Sequence, residues 1–201
     1  MNNKIARGML LDFKGAMDCC GIPFWLREGT LLGAVRDGDF VKGDKDMDVS
    51  VLAKDFIPPD NWGIYSELND MFQVERRLYR QPFSGLCLKR DGHHIDVMLQ
   101  FCNKERQSYI TWSPPYSDRM RTEMPAEYLD KENWIDFLDV KFRIPQFPRE
   151  VLHNIYGEFW ETPLLNPRMD RRPWMKWRLH WTIYDDMPEH LRKGTENPLT
   201  N

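Results

Sequence analysis

The sequence predicts an α+β domain in which a mixed β-sheet is flanked by helices. Three observations carry this. The chain opens on an amphipathic stretch at helical spacing. Soon after, Met47 to Leu52 alternates at strand spacing. Later, two apolar segments flank the tight Arg90-Asp91-Gly92 turn, which reads as a hairpin. A length of 201 residues favours a single domain spanning 1–201. The last ~10 residues read as a frayed tail.

Each element follows from its local pattern. In residues 4–20, Ile5, Met9, Phe13, Met17 and Cys20 fall close to i, i+4 spacing, with Leu10 and Ala16 beside them. Gly21 stops this helix and Pro23 follows. Pro23 to Arg27 reads as a short strand, Glu28-Gly29-Thr30 as a turn, and Leu31 to Arg36 as a short helix before the Asp37-Gly38-Asp39 turn. Phe40-Val41 reads as a brief pairing segment ahead of the turn at Gly43. Met47 to Leu52, with β-branched Val49 and Val51, reads as a strand. Pro58 to Trp62 is a loop opening a helix over Trp62 to Phe72. Strands follow near Val74–Tyr79, Gly85–Lys89 and His94–Leu99. Phe101 to Met124, with Pro114-Pro115, reads as irregular. A strand pair covers Trp134 to Phe142, and a helix runs from Pro148 to Tyr156 with Gly157 after its end. A basic-aromatic helix over Pro173 to Asp185 completes the order.

Composition narrows the function classes. Hydrophobic residues at 41% and charged residues at 29% fit an ordinary soluble globular chain. A net charge of −3 gives no reason to expect nucleic acid or an anionic membrane as partner. A phosphate-bearing substrate would then need local cations, from a metal or from nearby Arg and Lys. Eight Trp are many for this length, enough for some to line a groove. Of the four cysteines, Cys19 and Cys20 are adjacent and none forms a CxxC pair, which argues against a zinc site and for packing residues in a reduced protein. The N-terminus lacks a signal-peptide apolar core and no apolar run is long enough to span a bilayer, so a cytoplasmic protein with no transmembrane segment is expected.

The segment from Phe24 to Val51 carries the chemistry. If Met47 to Leu52 is a strand, Asp46, Asp48 and Ser50 share one face, and the two carboxylates project about 6–7 Å apart. Carboxylates that close repel unless something positive lies between them, and a divalent cation such as Mg2+ or Mn2+ serves. His94-Ile95-Asp96-Val97-Met98 offers a third carboxylate on another strand-like stretch. Three carboxylates on neighbouring strands suit in-line phosphoryl transfer. An EF-hand calcium loop beginning at Asp44 is excluded by its pattern, since Val49 and Asp55 stand where Gly and Glu are needed. A solvated acidic turn is the plainer alternative. The alternation with apolar residues and the upstream Gly29-Thr30 turn, which lets backbone approach a ligand, weigh against it.

These residues resemble the LicD / fukutin-related family of the nucleotidyltransferase superfamily. The superfamily pattern is a Gly-Ser or Gly-Thr turn, an acidic-x-acidic pair on the next strand and a third acid on a later one. Gly29-Thr30, Asp46-x-Asp48 and Asp96 match it. The family pattern is closer still, through Phe24-Trp25-Leu26, Gly29 to Arg36 and Asp44 to Asp48, and its closing stretch through Phe147-Pro148 to Tyr156-Gly157 and Asn166-Pro167. The chain departs from it at Arg27-Glu28, at Gly43 and at Lys45. The resemblance implies a nucleotidyltransferase-like mixed sheet. It also implies a transferase that moves a phospho-group, of phosphocholine or alditol-phosphate type, from a CDP-linked donor to a sugar or glycan hydroxyl. Asp46, Asp48 and Asp96 would be the catalytic residues and would hold Mg2+ or Mn2+ against the donor's diphosphate. Gly29 and Thr30 would contact phosphate, Arg36 would neutralise phosphate charge, and Asp96 would accept the hydroxyl proton. A nucleotidyltransferase that attacks an NTP and releases pyrophosphate uses the same core. A non-catalytic binding domain that keeps the fold is the third reading.

Other residues have plainer roles. Arg36 can equally pair with Asp37 or Asp39. His94 shares a strand face with Asp96 and can line the site, while His93 reads as a turn residue. Cys87 and Cys102 read as buried packing residues. Trp174, Trp177, Trp181 and Tyr184 recur at helical spacing as a packed face, in preference to a single-strand-binding surface.

Overall fold

The computed structural model describes residues 1–56, 62–78, 83–104, 107–112 and 121–163. Helix α1 (Asn3–Cys19) starts where the Asn2 side chain accepts from the Lys4 N–H and buries Ala6, Met9, Leu10, Phe13, Ala16 and Met17 along one stripe. It ends in a Schellman motif. Gly21 sits at φ 66°, its N–H reaches the Asp18 carbonyl, and the Ile22 N–H reaches the Met17 carbonyl at 2.9 Å.

Strand β1 (Phe24–Leu26) leads straight into helix α2 (Glu28–Leu32). The expected turn at Glu28-Gly29-Thr30 is therefore the first turn of a helix, closed by the Leu31 N–H on the Arg27 carbonyl at 2.9 Å. A π-helical turn (Gly33–Asp37) continues it and stops at Gly38, which takes φ 68°. The chain then folds back so tightly that a Cβ on Gly33 would lie 2.4 Å from the Asp39 carbonyl oxygen. Phe40 and Val41 form no strand; Phe40 is buried instead, its ring 5.4 Å from that of Phe137.

Strand β2 (Asp46–Leu52) and the short helix α3 (Ala53–Phe56) precede helix α4 (Trp62–Met71). Strands β3 (Gln73–Leu78), β4 (Phe83–Arg90) and β5 (His93–Asn103) follow. They assemble in the order β1-β2-β5-β4-β3, with β2 and β5 parallel and the other neighbours antiparallel. The mixed sheet arises because β2 and β5 are joined by a long crossover, whereas β4 and β5 meet through the two-residue turn Asp91-Gly92.

The stretch 101–124, expected to be irregular, holds two strands among its described residues. The far end of β5 pairs with β6 (Ser108–Trp112), which pairs with β7 (Arg121–Pro125). Helix α5 (Glu127–Asp130), the hairpin β8 (Trp134–Phe137) with β9 (Val140–Arg143), and helix α6 (Pro148–Tyr156) complete the described chain. The hairpin turns through Leu138 and Asp139, both left-handed at φ 54° and 61°, the geometry that matches strand twist. The basic-aromatic helix expected over 173–185 and the expected tail lie outside the described residues.

Alternation divides the sheet into two faces. Met47, Val49, Val51, Leu86, Leu88, Ile95, Val97 and Leu99 are all buried in the main core. Helices α1 and α4 pack on each other, α1 against β5 and α4 against β3. The opposite face carries Asp46, Asp48, His94, Asp96 and Cys87.

Candidate metal and phosphate site

Strand register alone brings these residues together. Asp46 lies opposite His94 and Asp48 opposite Asp96 across the parallel β2–β5 pair. Cys87 lies opposite Asp96 across the antiparallel β4–β5 pair. Directly opposed side chains in neighbouring strands stand about 5 Å apart at Cβ, so the register makes the cluster. The third acid expected from the sequence thus sits beside the first two.

The Gly29-Thr30 segment closes the cluster from β1's side. The Gly29 N–H donates to Asp48 Oδ2 at 3.2 Å, and the Thr30 hydroxyl oxygen accepts the Asp48 N–H at 2.8 Å. The Arg27 N–H donates to the Asp48 carbonyl at 3.0 Å. Asp48 is therefore held by its side chain, its amide and its carbonyl. A Cβ on Gly29 would fall 2.2 Å from Asp44 Oδ2 and 3.6 Å from Asp48 Oδ2, so only glycine lets backbone come this near both carboxylates.

Electrostatics mark the centre of the cluster. Burial first, then the negative charges of Asp46, Glu28, Asp96 and Asp44, push Asp48 well above the usual carboxylate range. Glu28 is also raised by burial, and Arg27 opposes the shift. Glu28 carries a left-handed φ of 41°, an unfavourable backbone for a residue with a Cβ. Behind it Arg27 is 1% exposed; its Nη2 lies 3.6 Å from Glu28 Oε1 and its Nη1 contacts Met124 Sδ at 3.4 Å. Burial lowers the Arg27 pKa, while Glu28 and Asp48 act to raise it. Sequence reasoning placed Asp44 as a neighbour of the Asp46–Asp48 pair without a role, and missed Arg27 and Glu28. The signal available was their nearness in the chain to the Gly29 segment.

His94 Nε2 stands 3.6 Å from Asp46 Oδ2 and 3.8 Å from Asp96 Oδ1, so its ring bridges the two strands. Cys87, His94 and Asp96 place one ligand atom each within 4.8 Å of the others. Arg36 pairs with the residue next to it. Its Nε and Nη2 donate to the Asp37 carboxylate at 2.8 and 2.9 Å, and its Nη1 donates to the Trp160 carbonyl at 3.3 Å. Among the described residues no helix is long and apolar enough to cross a membrane.

Comparison with known proteins bears on the family and the fold. The family model for the LicD/FKTN/FKRP nucleotidyltransferase domain matches residues 21–146, which contain all three expected acids. The chain is 39% identical over 170 residues to the human ribitol 5-phosphate transferase FKRP, covering 71% of this chain and 33% of that protein. It is 24% identical over 147 residues to the Mus musculus ribitol-5-phosphate transferase FKTN, covering 72% of this chain and 30% of that protein. It thus spans about a third of the length of the curated relatives it matches. In fold it is similar to ANT(2'')-Ia, whose crystal structure in complex with adenylyl-2''-tobramycin superposes with a TM-score of 0.50 at 12% identity over 79% of each chain.

Proposed function

Because this chain belongs to the LicD/FKTN/FKRP nucleotidyltransferase-domain family, we propose that it is a metal-dependent phosphotransferase. It moves an alditol-phosphate or phosphocholine-type group from a CDP-linked donor to a sugar hydroxyl of a glycan. The names of the relatives favour a pentitol phosphate within that class. The observation that carries the reading is the crowding of Asp44, Asp46, Asp96 and Glu28 around a half-buried Asp48. Like charges gathered this way are costly without a cation, and hard carboxylate oxygens fit Mg2+ or Mn2+. When bound by Asp46, Asp48 and Asp96, such an ion supplies charge neutralisation for a diphosphate and for the oxygen that leaves.

The chain's own residues supply position. Thr30 and the Gly29 amide fix Asp48 on the strand. The Gly29 backbone, with no side chain, lets the Asp44 and Asp48 carboxylates close in beside it. Asp96, with the His94 ring 3.8 Å away, would take the acceptor's hydroxyl proton. Arg36, paired with Asp37, would neutralise charge on a donor phosphate.

The test is a transfer assay with CDP-ribitol, CDP-glycerol, CDP-choline and NTPs, with products analysed. CMP release with Mg2+ or Mn2+ supports the proposal, whereas pyrophosphate release would assign nucleotidyl transfer instead. Asp46→Asn and Asp48→Asn are expected to abolish turnover; near wild-type, metal-dependent turnover in both would refute the site.

A further inference from the structure

We propose that Cys87, His94 and Asp96 form a second, softer divalent-cation site that takes Zn2+, sharing Asp96 with the carboxylate cluster. The three ligand atoms already lie within 4.8 Å of one another. This comes from backbone register: Cys87 is directly opposite Asp96 on β4, and His94 is two residues from Asp96 on the same face of β5.

The donor set decides which ion fits. A sulfur, an imidazole nitrogen and one carboxylate oxygen are the ligands that select zinc, whereas Mg2+ prefers oxygen alone. Three protein ligands with one position open match zinc sites that bind an exchangeable fourth ligand better than closed structural ones. Access agrees with this. Cys87 is only 5% exposed and forms the floor, while the His94 and Asp96 side chains remain 29% and 16% exposed at the mouth. Asp46 Oδ2 lies 3.6 Å from the same Nε2 that faces Asp96, so Asp46 borders the site on the β2 side. The absence of a CxxC pair does not count against such a site, because its ligands come from two strands and are joined by pairing.

Ion binding alone is at issue, so the zinc site stands or falls separately from the phosphotransferase reading. Cys19, Cys20 and Cys102 are exposed free thiols, so the test uses the full chain with all three changed to Ser, which leaves Cys87 as its one cysteine. Co2+ is titrated as an optical probe for zinc. The expected result is a thiolate-to-cobalt charge-transfer band that saturates at one equivalent. Stoichiometric Zn2+ should remove it, and a large excess of Mg2+ should leave it. His94→Gln is expected to weaken Co2+ binding roughly tenfold or more. Added Zn2+ should raise the melting temperature of the parent chain and not of His94→Gln, a readout that also shows both are folded. No band at saturating Co2+, ready displacement by Mg2+, or unchanged affinity in folded His94→Gln would overturn the proposal.

Discussion

At the scale of single residues, Asp48 sets the pH behaviour of the site. Its folded-state pKa is raised above 3.8, and that of Glu28 above 4.5, so folding favours their protonated forms. The stability they contribute is fully present below those unfolded values and is lost as pH rises through the folded ones. Metal-free protein should therefore be weakened by this cluster as pH climbs from about 4 towards neutrality. Asp48→Asn keeps the shape and removes a charge. Its melting temperature relative to wild type is expected to rise across that window, and the Mg2+-induced stabilisation expected of wild type at neutral pH should be absent. A wild-type-to-variant difference that does not change with pH would contradict this. Gly29→Ala makes a second residue-level test. Alanine suits a helical position by about 1 kcal/mol over glycine, yet its Cβ would meet Asp44 Oδ2. The expected outcome is a melting temperature within a few degrees of wild type with transfer activity reduced tenfold or more, about 1.4 kcal/mol or more in barrier.

The residue scale is also where the site is most legible in the sequence. Asp46, Asp48 and Asp96 stand out because carboxylates alternate with apolar residues on strands, and pairing then puts them on one face. Glu28 is in plain view but cannot be placed from spacing, because helix α2 begins a turn earlier than its Gly-Thr pair implies. Cys87 is legible only as an apolar filler. Its value as a ligand depends on its partner across β4 and β5, which no local spacing reveals.

At the scale of elements, β5 serves two sets of neighbours. Its first part pairs β2 and β4, and its last residues, Phe101 to Asn103, pair β6. That is why 101–124 reads as irregular in the sequence: β6 and β7 are only five residues each, and their own alternation is weak. Two tyrosines fasten this region to the helices after it. Tyr109 donates to Asp130 at 2.7 Å, tying β6 to α5, and Tyr128 donates to Glu150 at 2.6 Å, tying α5 to α6. Burial, then the bond to Glu150, pushes Tyr128 up to about 12. Tyr128→Phe is expected to cost about 1 kcal/mol in denaturant unfolding at neutral pH. A raised pKa means the tyrosine's contribution holds below its usual value of 10 and fades as pH rises through about 12, so the variant should lose less stability than wild type on that alkaline limb. Equal unfolding midpoints at neutral pH would show that the bond carries no weight.

At the scale of the whole molecule, the folding unit extends past the matched family segment at both ends, with α1 before it and α6 after it. The family model stops at residue 146, before α6. Yet α6 buries Val151, Leu152 and Ile155, and Trp160 beyond it is 7% exposed. At about 1.5–3 kcal/mol for each buried apolar side chain, these four contribute roughly 6–12 kcal/mol of gross burial energy. That is comparable to the ~5–15 kcal/mol by which whole domains are stable. Helix α6 also packs on α2, the element that brings Gly29 to Asp48, and the Trp160 carbonyl accepts from Arg36. The segment that holds the carboxylates is thus backed by residues outside the matched region. A chain ending at residue 146 is expected to show no cooperative thermal transition by circular dichroism and no Mg2+-dependent stabilisation, although it retains Asp46, Asp48 and Asp96. A cooperative melt within a few degrees of the full chain would mean instead that α6 is an appendage, and that the sheet with α1 and α4 suffices to place the site.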